Sequence, residues 1–266
     1  MARVVLLTTL MSDLALEGAS PAMRAFGRLL AQAARHDVPV LLVGETGAGK
    51  TTFGRALHAM SARAALPFVR VDCPAATGDL SMHADAARTG TLFLDEVAEL
   101  SPAAQASALK FLERRLPSVR PEPFDSGRSA ASAQDRLREA ESKDERAPPA
   151  LAIRVVASTR HDLDVEMRIG RLRKDLFYRL CVCEIRIPPL RERTEDILPL
   201  ARTFVASLAS KEGCPPPELS PDLERALVAY SWPGNVSELM SVLERMVILA
   251  PGGSLDVSAL PERIPS

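Results

Sequence analysis

The chain has 266 residues, of which 47% are hydrophobic and 25% are charged, and its formal net charge at pH 7 is −1. A chain of this size can form one large domain or two smaller ones around a sizeable core. This nearly neutral charge balance excludes a global basic field that would attract nucleic acid or an anionic membrane. The sequence contains no run of about 20 apolar residues, so we expect no membrane-spanning helix.

The chain opens with MARVVLLTTLMS, in which one arginine precedes a short apolar run. This run lacks a convincing cleavage site and leads into a nucleotide-binding pattern, so we expect it not to be a secretion signal. Residues 1–15 are predicted to be an N-terminal extension.

Strand and helix patterns alternate over the first two thirds of the chain. The stretch VPVLLVG (38–44) is an unbroken aliphatic run, as expected for a strand buried on both faces. Phe53, Leu57 and Met60 then follow at helical spacing. The alternation predicts an α/β fold with a parallel sheet. Further strands are predicted over 67–73, 91–96, 153–159 and 181–187.

A phosphate-binding pattern follows the first predicted strand. Residues 44–51 read GETGAGKT and satisfy G-x-x-x-x-G-K-[ST]. In this motif the glycines turn backbone N–H groups around the β-phosphate, Lys50 reaches the β- and γ-phosphate oxygens, and the Thr51 hydroxyl can ligate Mg²⁺. A chance glycine turn with a surface lysine is disfavoured by the strand before it and the helix after it. The residues predicted to bind ATP here are Gly44, Glu45, Thr46, Gly47, Ala48, Gly49, Lys50, Thr51 and Thr52.

An acidic pair ends the predicted strand TLFLDE (91–96). Asp95 is predicted to hold, through water, the Mg²⁺ that Thr51 ligates, and Glu96 to orient a water molecule for attack on the γ-phosphate. Alone, such a pair would indicate only a solvated strand end. Its position downstream of the phosphate loop favours the catalytic interpretation.

Residues 117–149 are rich in Pro, Ser and mixed charges and contain almost no large apolar residues. Such a segment cannot bury enough surface to offset its ordering entropy. It is predicted to be a flexible insertion, and a short helix over 133–145 is one option within it.

The last third of the chain is predicted to be helical. A helix is expected over 194–210. A second is capped by Ser220 with Pro221 at its first position and has an apolar face of Leu223, Leu227 and Tyr230. A third begins at Asn235 with Glu238 as a capping-box partner, and Gly252 and Gly253 end it.

The four cysteines are few for a chain of this length. Cys181 and Cys183 are two apart on a predicted strand, which is the wrong spacing for a C-x-x-C metal or redox pair. We therefore expect reduced thiols and a cytoplasmic location. The other two are Cys73 and Cys214.

Seven stretches in register resemble one family, the AAA+ ATPase domain of sigma-54-dependent transcriptional activators. They are LEGASPAM (16–23), the phosphate loop with its strand, ARTGTLFLDEVAELSPAAQ (87–105), RVVASTRHDL (154–163), LRKDLFYRL (172–180), IPPLRERTEDI (187–197) and WPGNVSEL (232–239). The resemblance implies a P-loop AAA+ core with a five-stranded parallel sheet over 16–193 and a helical lid over 194–266.

The resemblance also implies ATP, Mg²⁺ and a ring, usually a hexamer. Thr159 would be the residue that reports on the γ-phosphate. Arg173 and Arg179 would be arginine fingers that complete the site of a neighbouring subunit. Without the resemblance, surface salt bridges would be the favoured interpretation of these two arginines.

Several positions depart from the family pattern. The family carries a GAFTGA loop, which touches the sigma factor, between its second strand and the acidic strand. Here Cys73 and Gly90 are separated only by PAATGDLSMHADAART. Asp72 stands where the family usually has Asn, Arg160 replaces an Asn, and Ser237 replaces the lid arginine. Asp72 facing Glu96 would raise one carboxyl pKa or force the two apart. Together these changes cast doubt on hydrolysis and coupling more than on ATP binding.

Three functional hypotheses follow. The first is a transcription-regulating ATPase that acts on the transcription machinery or another regulatory protein. The second is a nucleotide-gated, oligomeric interaction module with little or no hydrolysis. The third, an unrelated AAA+ remodeller, is disfavoured by the IPPLRER and WPGN stretches. Direct DNA recognition is not expected, because the basic stretch RLRK (171–174) overlaps the finger segment and no reading helix follows it.

Overall fold

The computed structural model describes residues 20–76, 78–115, 153–213, 215–249, 253–262 and 264. The predicted N-terminal extension, the insertion over 117–149, Cys214 and Gly252 lie outside these residues. The described residues fall into two compact units. The sheet unit comprises the described residues within Arg28–Gly44 and Lys50–Arg186, and the helical unit comprises those within Met1–Gly27, Glu45–Gly49 and Ile187–Ser266. The domain boundaries expected from the sequence stay a prediction.

The sheet unit contains five parallel strands in the order β2-β3-β4-β1-β5, which confirms the predicted α/β fold. Every residue of β3 and β4 is buried, as expected for inner strands of a parallel sheet covered on both faces. The strands are β1 (Val40–Val43), β2 (Phe68–Asp72), β3 (Thr91–Asp95), β4 (Arg154–Thr159) and β5 (Cys183–Arg186).

Helices connect these strands, as a parallel sheet requires. The helix after the phosphate loop buries Phe53 and Leu57, as its spacing predicts, but it ends at Ala59, so Met60 lies in the following turn. The helices are α1 (Pro21–Ala34, shared by the two units), α2 (Lys50–Ala59), α3 (Ser81–Ala87), α4 (Pro102–Arg115), α5 (Leu163–Arg168) and α6 (Lys174–Leu180).

A buried arginine fixes the start of β4. Arg154 is 1% exposed, and its Nη2 donates to the carbonyl of Ala33 at 2.8 Å and its Nη1 to that of Ala34 at 3.4 Å. These are the last carbonyls of α1, which lack partners within the helix and carry its partial negative charge. Burial lowers the pKa of Arg154 to about 10, so the guanidinium remains charged at neutral pH.

The helical unit contains α7 (Ile197–Glu212), α8 (Pro221–Ala229) and α9 (Asn235–Leu249). The helix expected from Thr194 begins with a 3₁₀ turn over Thr194–Asp196. Ser220 caps α8 as predicted, because its hydroxyl accepts from the amide of Leu223 at 3.2 Å. Tyr230 is the residue after α8 and packs edge-on against the buried Trp232 at a ring separation of 5.0 Å.

The predicted capping box at Asn235 is wrong. Glu238 accepts from the amide of Gly234 at 2.8 Å, and the Asn235 side chain bonds to other segments. The physical reason is that an N-cap residue normally has an extended backbone. Asn235 instead has φ of 52°, a left-handed conformation that Asn tolerates better than most residues, and it is fully buried.

Cys73 and Cys183 are buried, and Cys181 is half-buried with its thiol donating to Glu184 at 3.8 Å. Burial, followed by the nearby carboxylates of Asp95 and Asp72, raises the pKa of the Cys73 thiol far above its ordinary value. Among the described residues, every helix is too short or too polar to span a bilayer.

Candidate nucleotide site

Residues 45–49 of the phosphate loop belong to the helical unit and pack against the start of α9. Gly47 and Gly49 have φ of 76° and 103°, which only glycine adopts readily. A Cβ atom at Gly47 would lie 2.1 Å from the carbonyl oxygen of Gly234 and 3.0 Å from the Cβ of Ser237. The glycine at this position is therefore required both by the turn and by this close approach.

The first side chain of the loop is held by two residues that the sequence did not mark as functional. The Glu45 carboxylate accepts two hydrogen bonds from Arg191, at 2.6 and 2.7 Å. It also accepts from Asn235 Nδ2 at 3.0 Å, and the same amide group donates to the carbonyl of Thr46 at 3.1 Å. Arg191 and Asn235 lie in IPPLRERTEDI and WPGNVSEL, so the family stretches were a signal for them.

A buried arginine supports the same loop from another side. Arg193 is 2% exposed, and its Nη2 donates to the carbonyl of Ala48 at 3.3 Å. Burial lowers its pKa to about 10, and the charge of Asp196 partly offsets this effect. Asp196 in turn accepts from the amide and hydroxyl of Ser20 at 2.9 and 2.8 Å. A charged guanidinium thus holds the loop backbone from inside the unit.

The Glu45 contact predicts a specific dependence of stability on pH. The hydrogen bonds from Arg191, and then that from Asn235, lower the pKa of Glu45 from 4.5 to about 2. A lowered pKa means that the contact stabilises fully above the unfolded value and is lost as the pH falls towards the folded value. We expect the difference in unfolding temperature between the wild type and Glu45→Gln to be constant above about pH 5 and to shrink as the pH falls towards about 3.

The effect should be modest, because the two side chains are 42% and 45% exposed and water screens the pair. Glu218→Gln, which neutralises an exposed acid of the same unit, is the matched control and should show no such trend. A Glu45→Gln difference that stays constant down to pH 3 would show that folding does not lower the pKa of Glu45.

The sheet unit supplies the other predicted site residues. Lys50 begins α2, and its Nζ donates to the carbonyl of Gly44 at 2.8 Å and lies 2.9 Å from Glu96 Oε1. The other oxygen of Glu96 accepts from the amide of Arg160 at 2.9 Å. Glu96 itself has φ of 60° and ψ of 58°, a left-handed conformation that is uncommon outside glycine. The structure therefore brings the predicted phosphate-binding lysine and the predicted catalytic glutamate into direct contact.

Asp95 is held by three side chains. Thr51 Oγ1 donates to its Oδ2 at 3.0 Å, and Ser158 Oγ donates to its Oδ1 at 2.6 Å. Arg70 Nε and Nη2 lie 2.8 and 2.7 Å from Oδ2. Ser158 also accepts from the amide of Glu96 at 3.2 Å, so it links the two acids. Sequence reasoning missed Ser158 and Arg70, although both lie on strands that it predicted.

Thr51 and Asp95 fit a magnesium ion. Mg²⁺ takes oxygen ligands at about 2.0–2.1 Å in octahedral geometry, so two adjacent ligands lie roughly 2.9 Å apart. The Thr51 Oγ1 to Asp95 Oδ2 distance is 3.0 Å. A hydroxyl and a carboxylate at this separation form a suitable pair, and a bound triphosphate would have to supply further oxygens.

Thr159 is fully buried at the end of β4. Its carbonyl accepts from the amide of Gly44 at 3.0 Å, which ties β4 to the start of the phosphate loop, and its hydroxyl accepts from the amide of His161 at 3.0 Å. Thr52 lies half-buried in the first turn of α2.

The two predicted fingers lie at the two ends of α6. Arg173 precedes the helix and makes two hydrogen bonds to Asp175, at 3.0 and 2.7 Å. Arg179 lies in its last turn, 3.7 Å from Glu113. The Arg173 side chain is 49% exposed and the Arg179 side chain 26% exposed. Both finger assignments stay predictions.

The positions that depart from the family pattern have defined environments. Asp72 is exposed and lies opposite Asp95 in the register of β2 and β3, while the two oxygens of Glu96 contact Lys50 and the amide of Arg160. The Arg160 side chain donates to Glu99 at 2.8 Å. Ser237 donates its backbone amide to the carbonyl of Gly47 at 3.3 Å. Between β2 and β3 the described residues contain a 3₁₀ turn over Cys73–Ala75 and α3.

A glycine-rich phosphate loop, an acidic pair at the end of a buried strand and a five-stranded parallel sheet define a P-loop ATPase fold of the AAA+ class. Two models of the sigma-54 interaction domain match residues 17–120 and 138–186, and a model of the AAA+ ATPase lid domain matches residues 191–266. The chain belongs to the sigma-54 interaction domain family of AAA+ ATPases. This confirms the resemblance stated from the sequence.

Curated relatives and a solved structure agree with this assignment. The transcriptional regulatory protein ZraR of Klebsiella oxytoca is 35% identical over 92% of this chain and 54% of its own length. The Nif-specific regulatory protein of Klebsiella pneumoniae is 36% identical over 90% of this chain and 45% of its own length. The crystal structure of NtrX from Brucella abortus in complex with ATP matches with a TM-score of 0.73 and 30% identity, covering 93% of this chain and 56% of that chain. The chain thus spans about half the length of these three proteins.

Proposed function

We propose that the chain is an ATP-binding AAA+ module of transcription regulation that hydrolyses ATP with altered coupling to its partner. The observation that carries this proposal is the hydrogen-bonded cluster of the sheet unit. There Lys50 contacts Glu96 at 2.9 Å, and Thr51 contacts Asp95 at 3.0 Å. All four residues were predicted from the sequence to serve one triphosphate.

Each residue of the cluster has a defined role in this proposal. Lys50 binds the phosphate oxygens and neutralises negative charge that develops on them. Glu96 accepts the proton of the attacking water or orients it. Thr51 and Asp95 would hold Mg²⁺, which when bound supplies positive charge to the phosphates. Thr159 ties the end of β4 to the loop through its contact with Gly44.

The complete site is proposed to form only in an oligomer. Arg173 and Arg179 would act on ATP bound by a neighbouring copy, because a cation from across an interface stabilises transition-state charge only after assembly. The two arginines pair with acids of their own chain, at 2.7 Å for Asp175 and 3.7 Å for Glu113. Assembly would then have to exchange these partners for the phosphate.

The partner is proposed to be the transcription machinery or another regulatory protein, contacted in an unusual way. The family's GAFTGA loop is replaced by the short stretch between Cys73 and Gly90, and β3 begins at Thr91. We infer that the usual contact with sigma-54 has been deleted.

A second candidate is a nucleotide-gated interaction module with little hydrolysis. It is supported by the restraint on Glu96, whose two oxygens are taken by Lys50 and the Arg160 amide, and by Ser237 in place of a lid arginine. A serine cannot carry charge to the γ-phosphate.

Turnover measured across protein concentration separates the two candidates. If the first is correct, the ATPase rate per subunit rises steeply with concentration as subunits assemble, and Arg173→Ala removes it. Mixing Arg173→Ala with Lys50→Ala should restore part of the rate, because the first variant keeps an intact loop and the second keeps its arginines. Arg225→Ala, an exposed arginine of α8, is the control and should behave as the wild type. ATP binding without turnover at any concentration would favour the interaction module.

A further inference from the structure

The Arg70 guanidinium pairs with Asp95, which is expected to hold magnesium, and the proposed mechanism gives Arg70 no role. Its Nε and Nη2 both lie on Asp95 Oδ2, at 2.8 and 2.7 Å. The Thr51 hydroxyl, the second expected magnesium ligand, lies 3.0 Å from the same oxygen. The guanidinium therefore contacts the carboxylate oxygen that also bonds the other magnesium ligand.

Strand geometry places Arg70 there. In the parallel register of β2 and β3, Arg70 is opposite Phe93 and Asp72 is opposite Asp95. Alternate residues of a strand share one face, and paired residues lie on the same face, so Arg70 reaches Asp95 diagonally across the two strands. The contact is a consequence of strand order and register, which fix both side chains at one end of the sheet.

The two partners differ in their exposure to solvent. The Asp95 side chain is 8% exposed, whereas that of Arg70 is 46% exposed on β2, the edge strand of the sheet. A half-exposed arginine can return to water at small cost, because an exposed ion pair contributes little. Asp95 cannot do so, and it needs a cation when it is ionised. Breaking the ion pair therefore costs less by moving the Arg70 side chain into solvent than by moving Asp95.

We propose that Arg70 is a built-in competitor of the divalent cation at Asp95 and so sets the Mg²⁺ concentration at which nucleotide is bound. Arg70 neutralises Asp95 in the metal-free protein and must release Oδ2 before that oxygen can hold a divalent cation, directly or through one of its water molecules, since two cations at one oxygen repel each other. Arg70 acts through Asp95 and is a positioning residue. This inference rests on the proposed function, because it takes Thr51 and Asp95 as the magnesium ligands.

The test is a Mg²⁺ titration of ATP binding, followed with a fluorescent ATP analogue at fixed concentration and ionic strength. The quantity measured is the free Mg²⁺ concentration that gives half of the metal-dependent increase in binding. We expect Arg70→Ala to lower this midpoint by about five- to tenfold. The midpoint for Arg70→Lys should fall between those of the wild type and Arg70→Ala, because lysine keeps the charge but loses the two-pronged contact. Arg186→Ala removes an exposed arginine from the opposite edge strand and should leave the midpoint unchanged.

The outcomes separate this inference from the proposed function. A midpoint for Arg70→Ala that equals or exceeds that of the wild type, with nucleotide still bound, overturns the role of Arg70 alone. A wild type that binds no ATP analogue at any Mg²⁺ concentration overturns the inference and the proposed function together. Unfolding temperatures of the variants identify any that fail to fold, in which case Arg70→Gln replaces Arg70→Ala. A purely structural role of Arg70 would lower stability without moving the midpoint down.

Discussion

Replacing Glu96 by glutamine is expected to reduce the rate of ATP hydrolysis by about 10²- to 10⁴-fold, the range for loss of a general base. The affinity for ATP should stay the same or rise. Glutamine removes the carboxylate that pairs with Lys50 at 2.9 Å, which leaves the Lys50 ammonium group available to phosphate. It also removes a negative charge that would repel the triphosphate. We therefore expect Glu96→Gln to bind ATP but to hydrolyse it very slowly.

Steady-state turnover and equilibrium ATP binding, measured on the same preparation, check this prediction. The matched control is Glu99→Gln, the same chemical change three residues along the chain. Glu99 pairs with Arg160 and His161 at 2.8 and 3.0 Å and has no predicted role with ATP, so its substitution should leave turnover within a few-fold of the wild type. Equal losses in both variants would mean that Glu96 contributes to local structure and not to chemistry.

Much of the sheet unit followed from the sequence because its signals are local. The unbroken aliphatic run over 38–44 predicted a strand buried on both faces, and the first three of the four residues of β1 are buried. The phosphate loop was recognised from the spacing of its glycines and Lys50, which the chemistry of phosphate binding fixes, together with the strand before it and the helix after it.

The contacts of the site could not be predicted in the same way, because they depend on strand register and on residues distant in the chain. Arg70 reaches Asp95 only because β2 and β3 are neighbours in a particular register. Ser158 reaches the same acid from β4, across a sequence separation of 63 residues. Single-sequence patterns carry no information on which strands are adjacent, so both contacts were missed.

Asn235 shows how a local rule can give the wrong answer. Asn followed three residues later by Glu is a recognised start of a helix, and the sequence predicted that cap. In the structure the Asn235 side chain accepts from the amide of Leu190 and donates to Glu45 and to the carbonyl of Thr46. A buried amide with three such partners stabilises the phosphate loop, and this tertiary role overrides the local preference.

Lys50→Ala is expected to weaken ATP binding by roughly 10- to 150-fold. A hydrogen bond to a charged group is worth about 1.5–3 kcal/mol, and each 1.4 kcal/mol changes an equilibrium constant tenfold. The loss should lie at the upper end of this range, because the substitution also leaves the Glu96 carboxylate, now without its cation, beside the triphosphate. Hydrolysis should be lost with binding, in contrast to Glu96→Gln.

Isothermal titration calorimetry with Mg·ATP, on the wild type and on Lys50→Ala at equal concentration, tests the central claim that Lys50 of the phosphate loop binds one triphosphate per chain. The wild type should release or absorb heat in a saturable curve with about one nucleotide per chain, and the variant should show at least a tenfold weaker association. Absence of any heat of association in both proteins, together with no protection of the wild type against thermal unfolding by Mg·ATP, would contradict the account.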